Sequence, residues 1–162
     1  MKYLLILRHA KSSWGNTYLA DHERPLNERG QQDAPRMGRL LRQEGLIPDL
    51  IISSSAARAL ATAEAVALAC GCDGRIQVTR QLYHAAPEDY LEVLRERGGA
   101  AALALVVGHN PGIEELVEML TGQAEQMPTA ALVYVQFDIE SWQELTEEIE
   151  GNLVQVWRPK EL

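Results

Sequence analysis

Three short runs of the chain carry no charged residue and almost no polar one, and they constrain the fold more than any other feature. They are Tyr3-Leu4-Leu5-Ile6-Leu7, Leu50-Ile51-Ile52 and Ala102-Leu103-Ala104-Leu105-Val106-Val107. A strand with one wet face alternates apolar and polar residues. A strand that is apolar throughout must be covered on both faces, as in a parallel sheet flanked by helices. Each run also stops abruptly at polar residues: Arg8-His9, Ser53-Ser54-Ser55 and Gly108-His109-Asn110.

The stretches between the runs read as helices. Residues 27–44 have Asn27 as a plausible N-cap, Leu40 and Leu41 on an apolar face, and Gly45 past the end. An Ala-rich stretch, roughly 56–70, is built of strong helix formers. Pro87 suits a first helical turn before residues 88–97, which Gly98-Gly99 ends. Pro111 suits the N1 position of a helix running to Thr121. Residues 75–79 are expected to form a third strand. Residues 130–137 and 152–157 show β-branched and aromatic residues with partial alternation, and read as two edge strands around a polar, acidic connection. Strands alternating with helices define an α/β class with a largely parallel sheet. No repeat, linker or low-complexity segment divides residues 1–162, so a single domain is expected.

Composition narrows the function. Over 162 residues, 15 Lys and Arg face 23 Asp and Glu, a net charge of −8. That balance disfavours non-specific binding to nucleic acid or an anionic membrane. Any anion site must be built locally against the overall field. No run is long enough to span a membrane, and the N-terminal apolar run breaks at Arg8-His9 without a small-residue cleavage site. Cys70 and Cys72 form C-x-C rather than C-x-x-C, with no other Cys to complete a zinc site. Reduced, structural thiols and a cytoplasmic location are the expectation. With no obvious apolar patch, so is a monomer.

In an open parallel sheet, ligands bind beyond the carboxyl ends of the strands. Parallel strands put those ends on one edge, so Arg8, His9, Arg58 and His109 can converge although they are far apart in sequence. Arg presents a planar fork of donors matched to phosphate oxygens. A neutral His serves as nucleophile or base. The set suits phosphoryl transfer: one His attacks phosphorus, and the Arg pair neutralises the equatorial oxygens. Each residue also has a plainer reading. A His at a strand end can be structural, Arg58 can pair with Glu64, and Ser53 to Ser55 can cap a helix.

The ordered motifs resemble a known family. Arg8-His9-Ala10 resembles the Arg-His-Gly signature of the histidine phosphatase superfamily, whose fold is phosphoglycerate mutase-like. Leu7 to Trp14, Arg24-Pro25-Leu26-Asn27-Glu28-Arg29-Gly30, Ser53-Ser54 with Arg58 and Thr62-Ala63, and Pro128-Thr129-Ala130 are similar to its small phosphohistidine phosphatase, SixA-type branch. Val107-Gly108-His109-Asn110-Pro111-Gly112 resembles the second-histidine motif. The resemblance implies a three-layer α/β/α sandwich with a mostly parallel central sheet. It implies His9 as the phosphorylated nucleophile, Arg8 and Arg58 as phosphoryl binders, and His109 as the second pocket histidine. It implies no metal and no organic cofactor. Lys11 and Ser12, just after the nucleophile, are further candidates for phosphate contact.

One departure bears on substrate. Members of this branch often carry a Glu proton donor in a Leu-Tyr-Glu-Ala setting, whereas this chain reads Leu82-Tyr83-His84-Ala85. An alkoxide leaving group needs a general acid. An imidazole leaving from a phosphohistidine needs less help. The substitution therefore tilts the expectation toward phosphohistidine on a protein, with small phosphomonoesters as the alternative and His84 as a possible donor. Two other classes compete: a phospho-ligand binding module without turnover, and a metal hydrolase using His9, His84 and His109. His22 reads as a surface residue of a charged loop. Trp14 reads as either a pocket wall or core.

Overall fold

The computed structural model describes residues 1–72 and 76–162. Six strands form one sheet in the order β3-β2-β4-β1-β5-β6, where β1 is Lys2–Arg8, β2 Leu50–Ser54, β3 Ile76–Thr79, β4 Leu103–Gly108, β5 Leu132–Phe137 and β6 Asn152–Trp157. β3, β2, β4 and β1 run parallel. β5 pairs antiparallel with β1, and β6 antiparallel with β5. Helices α1 (Glu28–Gln43), α2 (Ala57–Cys70), α3 (Pro87–Arg97) and α4 (Gly112–Thr121) cover both faces. The class is therefore α/β, with a mostly parallel sheet between two helical layers.

The apolar runs supply both cores at once. Along β1, Leu4 and Ile6 join a cluster with α3 and α4, while Leu5 and Leu7 join a second cluster with α1 and α2. Successive strand side chains point to opposite faces, so a continuous apolar run feeds two cores. Helix ends also follow the sequence. The Asn27 side chain accepts from the Gly30 N–H at 2.9 Å, and Gly45 and Gly71 take left-handed conformations past α1 and α2.

Three expectations need correction. β5 is not an edge strand; it lies between β1 and β6, and of these two expected edge strands β6 alone is an edge. Its partial alternation reflects mixed cover: Leu132, Val133, Val135 and Phe137 are buried, while Tyr134 and Gln136 are half-buried. Pro111 precedes α4 as its N-cap rather than opening it at N1. α2 is preceded by Ala56, with no side-chain cap from the serines. Of the expected third strand 75–79, residue 75 lies outside the described residues, and the strand is Ile76–Thr79.

Two glycines mark close approaches that fix the site. A Cβ on Gly30 would collide with the Lys11 backbone, so the first turn of α1 sits directly on the segment that leaves β1. That segment is tied further by Asn27 N–H to Lys11 O at 3.0 Å and Ser13 N–H to Pro25 O at 2.8 Å. A Cβ on Gly108 would collide with the Tyr90 hydroxyl and ring. Tyr90 is fully buried, and its Oη accepts from the His109 N–H at 3.3 Å. Gly108→Ala is expected to cost roughly 1–3 kcal/mol through overpacking and to displace His109. Thermal unfolding and turnover measured on the same preparation check both effects.

Candidate active site

The carboxyl ends of β1, β2 and β4 meet at one cavity of about 250 Å³. Arg8, His9, Lys11, Ser12, Arg58, His84 and His109, all the candidates from the sequence, line it. So do Trp14, Asp21, Arg24, Asn110 and Thr129.

His9 follows the last residue of β1 and is buried. Its N–H donates to Gly108 O at 3.0 Å, and its carbonyl accepts from Ala130 N–H at 3.0 Å. Its Nδ1 lies 2.7 Å from Ala10 O. A carbonyl only accepts, so Nδ1 carries the ring proton and Nε2 keeps its lone pair. Burial pushes the imidazole down to about 4, with Arg8, Arg58 and Arg24 acting in the same direction. The ring is neutral at physiological pH. Ala10 is fully buried and outside the left-handed region, so its methyl group fits without backbone strain. The Ala10 N–H donates to Thr62 Oγ1 at 3.0 Å, and that hydroxyl donates to Arg58 O at 2.7 Å. One threonine thus couples the segment after β1 to the first turn of α2.

His109 lies against His9, with ring centroids 5.1 Å apart. Its Nε2 is 2.8 Å from Ser54 Oγ. That oxygen also accepts from Ala56 N–H at 3.2 Å. Nδ1 is buried without a protein partner. Burial pushes this imidazole down to about 3, reinforced by His9, Arg58 and His84.

Both imidazoles are held neutral by the fold, and both would protonate near 6.5 when exposed. Between pH 6.5 and about 4 the unfolded chain binds protons that the folded chain refuses. Stability is therefore complete above 6.5 and falls as pH drops through that window. Urea unfolding at about pH 7 and about pH 5 is expected to show this loss, and a His9→Asn/His109→Asn variant to show less of it.

The two arginines are held differently. Arg8 Nη1 donates to Met127 O at 3.1 Å, and its Nε is buried without a partner. Arg58 is buried; its Nη1 donates to Asp21 O at 2.7 Å and its Nη2 to Asp21 Oδ2 at 3.0 Å, while its Nε has no partner. Arg58 thus pairs with Asp21 and not with Glu64.

Asp21 is the residue that sequence reasoning missed. It sits in a short 3-10 turn, Asp21–Glu23, within a loop that reads as solvated charge. Tyr83 Oη donates to its Oδ2 at 2.6 Å, and Arg24 Nε to its Oδ1 at 3.1 Å. The Tyr83 hydroxyl, with Arg58 and Arg24, holds this carboxyl well below the usual carboxylate range. His22 is not a free surface group either. Its Nε2 lies 2.8 Å from Ser55 Oγ and its ring meets Tyr83 edge-on at 4.8 Å. Only the reach of Tyr83 across from the end of β3 reveals the cluster, and no local spacing signals it.

The remaining candidates lie at the rim. Ser12 is buried, and its Oγ accepts from Arg24 at 2.8 Å. Trp14 is 72% exposed, with the Arg24 guanidinium 3.5 Å from its ring centre, so it is a rim wall and not core. His84 is exposed, left-handed at φ 54°, and its ring lies tilted against Tyr83 with centroids 4.0 Å apart. Lys11 is exposed. Among the described residues, no three His, Cys, Asp or Glu side chains form a metal-holding group. No helix among them is long and apolar enough to cross a membrane.

Two neutral histidines, a half-buried Arg8 and a buried Arg58 meet beyond the strand ends of a parallel α/β sheet, a set of groups suited to a phosphoryl anion. Comparison with known proteins gives the same class. Residues 4–86 match the model of the histidine phosphatase superfamily, branch 1. An uncharacterized chloroplastic protein of Arabidopsis thaliana is 30% identical over 87% of this chain and 69% of its own length. The structure of a candidate phosphohistidine phosphatase SixA from Agrobacterium tumefaciens superposes with a TM-score of 0.83 at 28% identity, covering 98% of each chain. The structure of the protein histidine phosphatase SixA complexed with tungstate gives 0.84 at 22% identity, over 98% of each chain, and shows the same fold. The chain belongs to the histidine phosphatase superfamily, with a SixA-type fold.

Proposed function

We propose that the protein is a phosphohistidine phosphatase that works through its own phosphohistidine. His9 Nε2, with its lone pair free, attacks the phosphorus of the substrate and the substrate's imidazole leaves. Arg8 and Arg58 take the nonbridging oxygens, whose charge must be neutralised in the transition state. With Ser54 Oγ donating to its Nε2, His109 carries its ring proton on Nδ1 and donates it to one of them. Water then attacks the phosphorus on His9, releasing orthophosphate and restoring the free imidazole. Lys11 and Ser12 add positive potential and a hydroxyl beside that group.

The observation that carries the choice of substrate concerns proton donors. Asp21 is the sole carboxyl group among the described residues lining the cavity, and it is held ionised. A carboxylate without its proton cannot protonate an alkoxide. An imidazole leaves without that help, and a nitrophenolate nearly so. His84, at the rim of the cavity, is the residue through which the alternative reading, a small-molecule phosphomonoesterase, would run.

Phosphate release from a phosphohistidine-bearing protein, from p-nitrophenyl phosphate and from an alkyl phosphate separates the readings. Release from the first two with little from the third is expected. Equal release from the alkyl phosphate, lost in His84→Gln, would establish the phosphomonoesterase. No release from any of the three, with wild type matching His9→Ala, would leave a phospho-ligand binding module.

A further inference from the structure

A second concavity, of about 290 Å³, is lined by Arg8, Lys11, Arg29 and Lys160 together with Pro128 and Thr129. It lies where the end of β1, the first turn of α1 and the turn Pro159–Glu161 come together. It shares Arg8, Lys11 and Thr129 with the phosphoryl cavity, so the two adjoin. Among the described residues, no acidic side chain lines it.

Four cations and no carboxylate in one groove is an unusual arrangement for a chain of net charge −8. Few described groups offset them, Glu114 near Arg8 being one. Arg29 has a single partner, Asp33 at 3.4 Å, one helical turn along α1. Arg8 donates only to a backbone carbonyl, and its Nε is buried without a partner. Lys11 and Lys160 make no ion pair with any described residue. Like charges gathered in a concave wall repel one another and focus a positive field, and an anion relieves both.

We infer that this groove is a subsite for a second anionic group on the substrate, a carboxylate or a further phosphoryl group, held by Arg29 and Lys160 while the reacting phosphoryl group occupies the adjoining pocket. The inference rests on the reading of that pocket as a phosphoryl site. Arg8 and Lys11 form the shared wall, so both anions of one molecule meet a continuous positive surface. The preferred substrate then carries its phosphoryl group close to a second negative charge. On a protein, that is a phosphohistidine with an acidic neighbour.

Calorimetric binding of three non-hydrolysable probes tests this: butylphosphonate, phosphonobutyrate and trimethylene bisphosphonate. The wild type is expected to bind the two probes with an anionic group at each end at least about tenfold more tightly than butylphosphonate, which corresponds to about 1.4 kcal/mol. Which of the two binds more tightly tells a carboxylate subsite from a phosphate subsite. Arg29 and Lys160 are exposed, so the Arg29→Gln/Lys160→Gln variant should fold. It is expected to bind all three probes alike. Equal affinities in the wild type, or a preference that survives in the double variant, would overturn the subsite while leaving the phosphatase reading intact. Failure of butylphosphonate to bind at all would sink the phosphoryl pocket, and the subsite with it.

Discussion

His9→Ala is expected to lower phosphate release by about 10³-fold or more, and to abolish acid-labile labelling of the protein by a radiolabelled phosphohistidine substrate. The reason is geometric. Nδ1 is committed to Ala10 O, so Nε2 is the one ring nitrogen with a lone pair to give. The neutral form is present throughout the physiological range because burial and three guanidinium groups oppose protonation. The backbone on either side is bonded to Gly108 and Ala130, so the ring is presented by a fixed frame and loses little on reaching the transition state. Label retained by the Ala variant, or an unchanged rate, would move the nucleophile elsewhere. His109→Ala is the informative companion: it should slow release while leaving His9 able to accept the label.

Arg58→Ala ranks second, with an expected loss of about 10³-fold in kcat/KM. Arg58→Lys is expected to restore little, because a point charge cannot reproduce a planar fork held by two bonds to Asp21. The role of Asp21 follows from the same contacts. It positions Arg58, and its own carboxylate is fixed by Tyr83 and Arg24. Tyr83→Phe removes a single charge-assisted hydrogen bond, so a smaller loss of roughly tenfold is expected. An Arg58→Lys enzyme with near wild-type kcat/KM would show that charge alone suffices there.

The strand ends were legible because burial on both faces leaves no polar residue inside a strand, so the polar residues beyond Leu7, Ile52 and Val107 stood out. Parallel pairing then brought His9, Arg58 and His109 to one edge, as the motifs implied. Asn27 and Gly45 were legible for a different reason, because cap chemistry is local. The position of β5 was not. Whether a strand lies at an edge depends on which strand pairs with its other side, and Leu132–Phe137 carries no mark of its pairing with both β1 and β6. Asp21 was hidden in the same way. In sequence it is one charge among Asp21, His22, Glu23 and Arg24; only the fold sets Tyr83 and Arg58 beside it. Ser54 looked like a helix cap, and its contact with His109 spans from the end of β2 to the end of β4.

The site is anchored on two parts of unequal permanence. His9 directly follows a strand bonded on both sides by β4 and β5, inside the cores of both layers; such a strand exchanges its amide protons only through global opening. Arg58 owes its orientation to Asp21, in a loop held by side-chain contacts and few backbone bonds, which can open at far lower cost. Mild denaturant should therefore silence the enzyme well before the sheet melts, with the nucleophile still in place. Activity reports the state of the loop, and spectroscopic unfolding reports the state of the strand.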